Sequence, residues 1–261
     1  MKKKANQNNN LNCRTDHIKC IGIDNSICIF YKYRHMSGQL CLGILERLDM
    51  YVIGILNTKG GAGKTTLAAC LAVRASDEAR VAVCDLDPQS SYSEWYRRRG
   101  SPENPALLVG ADRASEAVEA LRLTSPYQYV FLDGPPGALL VTEDAIGAST
   151  LVVIPVRPSG LDIGASRDCI QLCQEHRTPF LVVINAKGPH DGKLVEQTRS
   201  LLMSWGVAVA ETVIAHRTQF INAITTGRTG AEKDSKARTE IDALWDEVRT
   251  AVRNAALKDG A

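Results

Sequence analysis

The chain has 261 residues, 44% hydrophobic and 23% charged, with a formal net charge of +2, which is the make-up of a globular protein with material for a sizeable core. No apolar run reaches the roughly 18–20 residues that span a bilayer, and the polar start MKKKANQNNN lacks the apolar stretch of a signal peptide, so a cytoplasmic protein is expected. The eight cysteines include no C-x-x-C pair, which argues for reduced thiols over a zinc ribbon or redox motif.

Composition changes near Met50. Residues 1–50 hold eight of the 31 Lys/Arg and four of the 29 Asp/Glu, an Asn-rich start and four of the cysteines. Three readings of residues 1–49 stay open: a poorly ordered extension, not native if translation starts at Met50; a partner- or DNA-binding arm; or a Cys/His metal site, whose cysteine gaps match no common ligand spacing. Residues 50–261 are expected to form the main domain. They are slightly acidic, so any polyanion binding there needs a local patch.

From Met50 onward strand and helix patterns alternate. YVIGILN (51–57) predicts a buried strand that runs straight into glycines, and helical period follows over 64–76. VAVCD (81–85), QYVFLD (128–133), TLVVIPV (150–156), FLVVIN (180–185) and VAVAETVI (207–214) predict further buried strands. Segments 112–123, 161–177 and 191–204 carry helical period between them. Cys169 and Cys173, four apart, are expected as small apolar side chains in one buried helical stripe. The last segment, EIDALWDEVRTAVRNAAL, puts Ile241, Leu244, Trp245, Val248 and Val252 on one stripe, while its other face mixes acidic with basic residues. That helix is expected to dock on the body of the protein, because a membrane-surface helix would be basic there. The whole predicts an α/β fold: a doubly wound, mostly parallel sheet with helices on both faces.

TKGGAGKTT (58–66) follows a predicted strand and opens a predicted helix, the setting of a phosphate-binding loop. Gly60, Gly61, Ala62 and Gly63 bring backbone N–H groups toward phosphate oxygens, and the helix N-terminus adds a favourable potential for anions. Lys64 is placed to neutralise the outer phosphates, and the Thr65 hydroxyl to hold Mg²⁺. Two acidic strand ends follow, VAVCDLDPQ with Asp85 and Asp87 and YVFLDGPPG with Asp133. The carboxyl ends of parallel strands are where such sheets present ligand-binding groups. Carboxylates there serve to hold Mg²⁺ or to orient the water that attacks the γ-phosphate. Lys59 is surplus to this scheme: it lies ahead of the glycines, on the far side of the loop from Lys64.

These residues resemble the ParA/MinD family of deviant Walker ATPases. KGGAGKTT (59–66) fits the family's Walker A pattern, DLDPQSS (85–91) its D-x-D-P-Q segment, and FLDGPPG (131–137) its Walker B segment, with Gly134 where Thr is usual. PVRPSGLD (155–162) looks like the adenine-side loop, and the match continues into AHRTQFINAI (215–224). The likeness spans about 50–257 and is closest to short, ParF-like plasmid partition ATPases. It implies a P-loop ATPase that uses ATP and Mg²⁺, with Lys59, Lys64 and Asp87 catalytic, Lys59 reaching across an ATP-dependent homodimer, and Thr66 at the α-phosphate. It further implies Thr65, Asp85 and Asp133 as the metal shell, with Pro158 and Asn185 beside adenine.

In the same way it implies non-specific DNA binding, with Arg217, Arg228 and Lys236 as candidate contacts, a ParB-like centromere-binding or adaptor partner, and a cytoplasmic, nucleoid-associated location without membrane attachment. The leading expectation is partition of a plasmid or chromosome. A protein cargo such as a chemoreceptor cluster or microcompartment stands as the alternative, ahead of a MinD-type division-site regulator. An iron–sulfur carrier on this fold would need bridging cysteines, whereas Cys70 and Cys84 fall in a predicted helix and a buried strand.

Overall fold

The computed structural model describes residues 50–108, 113–124 and 126–259, and the backbone of four short strands near the N-terminus. The chain divides into two units, Met1–Leu48 and Asp49–Ala261. In the first, β1 (Ile18–Gly22) pairs antiparallel with β2 (Cys28–Lys32), and β3 (His35–Met36) with β4 (Gln39–Leu40). The other expectations for residues 1–49, including the metal-site reading, lie outside the described residues.

The second unit is built on a six-stranded sheet, in the order β10–β9–β5–β8–β6–β7. Its strands are β5 (Tyr51–Ile55), β6 (Val81–Asp85), β7 (Ala106–Leu108), β8 (Tyr129–Asp133), β9 (Leu151–Val156) and β10 (Phe180–Ile184), and every neighbouring pair is parallel. Strands buried on both faces read as continuous apolar runs, not alternating ones, and this is how β5, β8 and β9 are written and buried. From β5 the chain winds first toward β6 and β7, then crosses back to β9 and β10. The switch point therefore lies at the carboxyl end of β5, where ligand crevices form in such sheets.

Helices cover both faces. One core layer packs α1 (Lys64–Ser76), α2 (Ser91–Arg98), α7 (Thr218–Ile224) and α8 (Ser235–Asp259) on the sheet. The other packs α3 (Ala114–Thr124), α4 (Leu139–Ala148), α5 (Gly160–Glu175) and α6 (Gly192–Ser204). Cys169 and Cys173 are fully buried on α5, as expected for an apolar stripe. The α8 stripe is buried throughout, Trp245 packing edge-on against Tyr129 at 5.0 Å. Asp242 and Glu78 hold Arg74 of α1 from either side, at 2.7 Å each. The final helix is thus docked on α1. Among the described residues no helix is long and apolar enough to cross a membrane.

One predicted strand did not form. Within residues 207–214 only Val209 makes an isolated bridge, to Val182, and a second, Lys187 to Ala215, falls just past the segment. Side chains take up backbone groups that a further strand would have paired. Glu247 of α8 accepts from the Glu211 and Thr212 N–H groups at 2.7 and 2.8 Å. Arg199 of α6 donates to the Ala210 and Glu211 carbonyls at 2.8 and 3.1 Å. Val207, Ala210 and Ile214 of this segment still enter the core, which is why it reads as a strand.

Candidate functional site

The loop between β5 and α1 is fixed at its start by Asn57, which is 1% exposed. Its side-chain N–H donates to the Pro155 carbonyl at 2.8 Å and its oxygen accepts from the Lys59 N–H at 2.9 Å. The Thr58 hydroxyl donates to the Ala165 carbonyl of α5 at 2.9 Å, and the Gly137 N–H donates to the Thr58 carbonyl at 2.9 Å. The loop is therefore tied to β9, to α5 and to the segment after Asp133. Asn57 is absent from the residues that the sequence marks for the site; a buried Asn between an apolar strand and a glycine run was the signal available.

Two glycines of the loop have positive φ, Gly61 at 73° and Gly63 at 93°. Gly63 is required twice over, because a Cβ there would stand 2.3 Å from the Asn185 side-chain nitrogen. That nitrogen donates to the Ala62 carbonyl at 2.7 Å. Asn185, at the end of β10, thereby props the loop open from behind.

Lys64 is nearly buried and turns its ammonium back to the Lys59 carbonyl at 3.0 Å. Burial lowers its pKa, and the nearby Asp133 and Asp87 carboxyls oppose that shift. Lys59 presents an exposed side chain on the outer side of the same loop. The two lysines thus face different surroundings, one the interior of the cradle and the other solvent.

Asp85 and Asp133 end neighbouring strands at the same register position. The Asp85 carboxylate is committed to α2, accepting from the Ser93 N–H at 2.8 Å and the Ser93 hydroxyl at 2.7 Å. Asp87 is half-buried and accepts from the Gln89 N–H at 2.9 Å. Asp133 differs: it is fully buried, and neither oxygen receives a hydrogen bond of ordinary geometry. Burial pushes its carboxyl up to about 8; the nearby Thr65 hydroxyl and Lys64 pull it down, and Asp85 and Asp87 push it further up. An orphaned carboxylate beside a threonine hydroxyl and a second carboxylate fits a hard divalent cation.

A cavity enclosing about 580 Å³, including its open mouth, adjoins the loop. Gly61, Gly63, Thr66 and Asn185 form its polar end, and Ile214, Phe220 and Ile221 its apolar wall. An apolar cleft with a few convergent polar groups is what a planar base and sugar require. Arg157 and His216 also line it, two residues the sequence does not single out, whereas the predicted Pro158 is buried outside its wall.

The three residues expected on a DNA face are not equivalent. Arg217 lines the cavity and is held by both oxygens of Glu240, its second nitrogen at 2.7 Å, with Asp234 at 3.9 Å. Its guanidinium is thus engaged within the protein. Arg228 is 58% exposed and lies 3.5 Å from Glu232. Lys236 is exposed on the first turn of α8.

A sequence model described as the CobQ/CobB/MinD/ParA nucleotide binding domain matches residues 53–229. The chain belongs to this family. It is 25% identical to "Maintenance of carboxysome distribution protein A" of Halothiobacillus neapolitanus over 74% of this chain and 93% of that protein. Its identity to "Protein ParA" of Rhizobium radiobacter is 27%, over 66% of this chain and 81% of the relative. Among solved structures, the MinD cell division protein of Aquifex aeolicus has a TM-score of 0.64 at 17% identity, covering 77% of this chain and 97% of its own. The apo McdA structure from Cyanothece scores 0.62 at 17% identity, covering 80% and 100%. At such identities these two establish the shared fold. The chain is thus a ParA/MinD-family protein with the P-loop NTPase fold, and the family is one of nucleotide-binding ATPases. The iron–sulfur reading gains nothing from the cysteines: Cys70 and Cys84 are buried, and burial raises both thiols to about 12.

Proposed function

We propose that residues 50–261 are a positioning ATPase that dimerises on binding ATP and Mg²⁺, holds non-specific DNA as a dimer, and is released by partner-stimulated hydrolysis. The observation that carries this reading is the division of labour between the two lysines: Lys64 is buried against its own loop, while Lys59 is exposed beside it. A cation on the outer side of the loop serves a phosphate presented by a second copy.

Exposed apolar side chains support the same face as a dimer surface. Leu139 and Leu140, on α4 just beyond Gly137, are 52% and 81% exposed, and Leu161, on α5 one turn before Ala165, is 86% exposed. Both segments are tied to Thr58 by the hydrogen bonds described above. Large apolar groups left in water around a phosphate loop favour a covered state.

In this reading Lys64 takes the outer phosphates, Thr66 the α-phosphate, and Asn185 holds the loop beside the base. Asp87 orients the attacking water. Thr65, Asp85 and Asp133 would hold Mg²⁺, which when bound would supply positive charge to offset that of the phosphates. The protein works in the cytoplasm on the nucleoid. Its leading cargo is a plasmid or chromosome recognised through a ParB-like centromere-binding partner. The likeness to two carboxysome distribution proteins, in Halothiobacillus neapolitanus and Gloeobacter kilaueensis, favours a second reading in which the cargo is a protein assembly.

Retention on a column of random-sequence duplex tests the core of the proposal. Binding is expected with ATP and not with ADP, weakening steeply with salt; equal retention in both states would sink it. A pull-down with ATP then separates the cargo readings, according to whether it recovers a DNA-binding protein or an adaptor of a protein assembly.

A further inference from the structure

The run of three arginines at the end of α2, Arg97, Arg98 and Arg99, has no role in the sequence motifs. The helix dipole alone favours cations in a last turn. What the dipole does not explain is the segment 225–232, which is seated on that turn.

The Trp95 indole N–H donates to the Arg228 carbonyl at 2.9 Å, and Arg99 donates to the Gly227 carbonyl at 3.1 Å. Gly227 has φ 67°, and a Cβ there would stand 2.3 Å from the Arg98 carbonyl carbon. Only a glycine lets the loop lie directly on the helix backbone at this point. The effect is to gather cations from two regions more than a hundred residues apart.

These cations fall into two groups, each gathered by one carboxylate, and Arg98 also donates to the Thr225 carbonyl of the seated segment at 3.5 Å. Glu94 pairs with Arg97 at 3.0 Å and with Arg98 at 2.8 Å. Glu232 pairs with Arg99 at 2.9 Å and approaches Arg228 at 3.5 Å. Arg99 is the buried member and serves to pin the loop, with 18% of its side chain exposed. Arg97, Arg98 and Arg228 are 66%, 45% and 58% exposed and keep N–H groups for an outside acceptor. Four guanidinium groups against two carboxylates leave the two groups positive on an otherwise slightly acidic domain.

We propose that the C-terminal turn of α2 and the 225–232 segment form one phosphate-binding ridge, with Arg97 and Arg98 contacting a nucleic-acid backbone beside Arg228. The proposal rests on the DNA-binding reading above and assigns its contacts to α2. Guanidinium groups suit this partner because they pair with phosphate oxygens through two N–H bonds at once and are weakly hydrated. A two-fold dimer would present the ridge twice, so each lost cation counts twice in the salt dependence. Glu94 restrains the two helix arginines when no phosphate is present.

The test is fluorescence anisotropy of a labelled random-sequence duplex with Mg²⁺ and a non-hydrolysable ATP analogue, across a series of salt concentrations. The variants are Arg97→Ala/Arg98→Ala, Arg228→Ala and Glu94→Gln, each first checked for ATP-analogue binding. Exposed ion pairs contribute little to stability, and Arg98 adds only a long hydrogen bond to the Thr225 carbonyl, so the variants are expected to fold and bind nucleotide. The double variant should weaken DNA binding by about tenfold or more and flatten the salt dependence by about one to two phosphate contacts per protomer. Glu94→Gln should tighten binding by about two- to fivefold, a gain that loss of folding cannot imitate. Unchanged affinity and salt slope in the double variant would overturn the ridge, as would be found if these arginines faced an acidic protein partner. Failure of the wild-type chain to bind duplex in any nucleotide state would instead remove the DNA reading itself.

Discussion

A carboxyl group at Asp133 is held where water cannot reach it and where no donor of ordinary geometry meets either oxygen. Its pKa lies at about 8 in the folded chain against 3.8 for the ordinary group. The stability gained from its proton is therefore complete below about 3.8 and is lost as pH rises toward 8. Metal-free protein should lose thermal stability between about pH 5 and pH 8, and Asp133→Asn should flatten that fall; parallel curves for the two proteins would refute the assignment. The neighbouring Gly134 has a packing cause, since a Cβ there would stand 2.5 Å from a methyl of the buried Leu56. Restoring the usual Thr should cost about 1–3 kcal/mol in urea unfolding, and Leu56→Ala in the same chain should relieve the crowding. For Lys59 the expectation concerns assembly: Lys59→Ala should bind nucleotide yet stay monomeric with ATP by light scattering. A normal dimer in that variant would remove its proposed role.

Helix α8 illustrates what an element contributes beyond its own pattern. Its stripe was legible because Ile241, Leu244, Trp245, Val248 and Val252 repeat at helical spacing, and all five are buried. Trp245→Ala should cost about 3–5 kcal/mol by denaturant unfolding, because the side chain is fully buried against Tyr129 and Phe131. Strands β5, β6, β8, β9 and β10 were legible for a similar reason: each is a continuous apolar run closed by a turn or a polar residue. The 207–214 segment misleads because Val207, Ala210 and Ile214 are real core residues, while its backbone pairing with β10 is broken at Glu211 and Thr212, where Arg199 and Glu247 take over in a way no local pattern reveals. Helix α2 is hard to see in the sequence since its eight residues bury only Tyr92 and Trp95. The phosphate loop could be read residue by residue, because its chemistry is local. The cavity itself could not, because its apolar wall at 214–221 meets the phosphate loop, Arg157 and Asn185 only through the fold.

At the scale of the whole molecule, apolar surface, an exposed lysine and the nucleotide cradle adjoin the same loop. If ATP binds the dimer more tightly than the single chain, its apparent stabilisation must rise with protein concentration as well as with ligand. Thermal midpoints with ATP should therefore climb on concentrating the wild-type chain, and Leu161→Glu should abolish the climb while leaving nucleotide binding measurable. A midpoint independent of protein concentration would argue against the dimer. The seat of Trp95 has a practical consequence. Its indole lies 5.1 Å from Tyr92, beneath the Arg99 guanidinium, with its N–H spent on the Arg228 carbonyl. Indole emission responds to the loss of such a bond and to the arrival of water, so lifting of the basic segment would register as a change in colour. With Trp205→Phe and Trp245→Phe as background, the chain would carry its own optical gauge of whether that segment is down or raised.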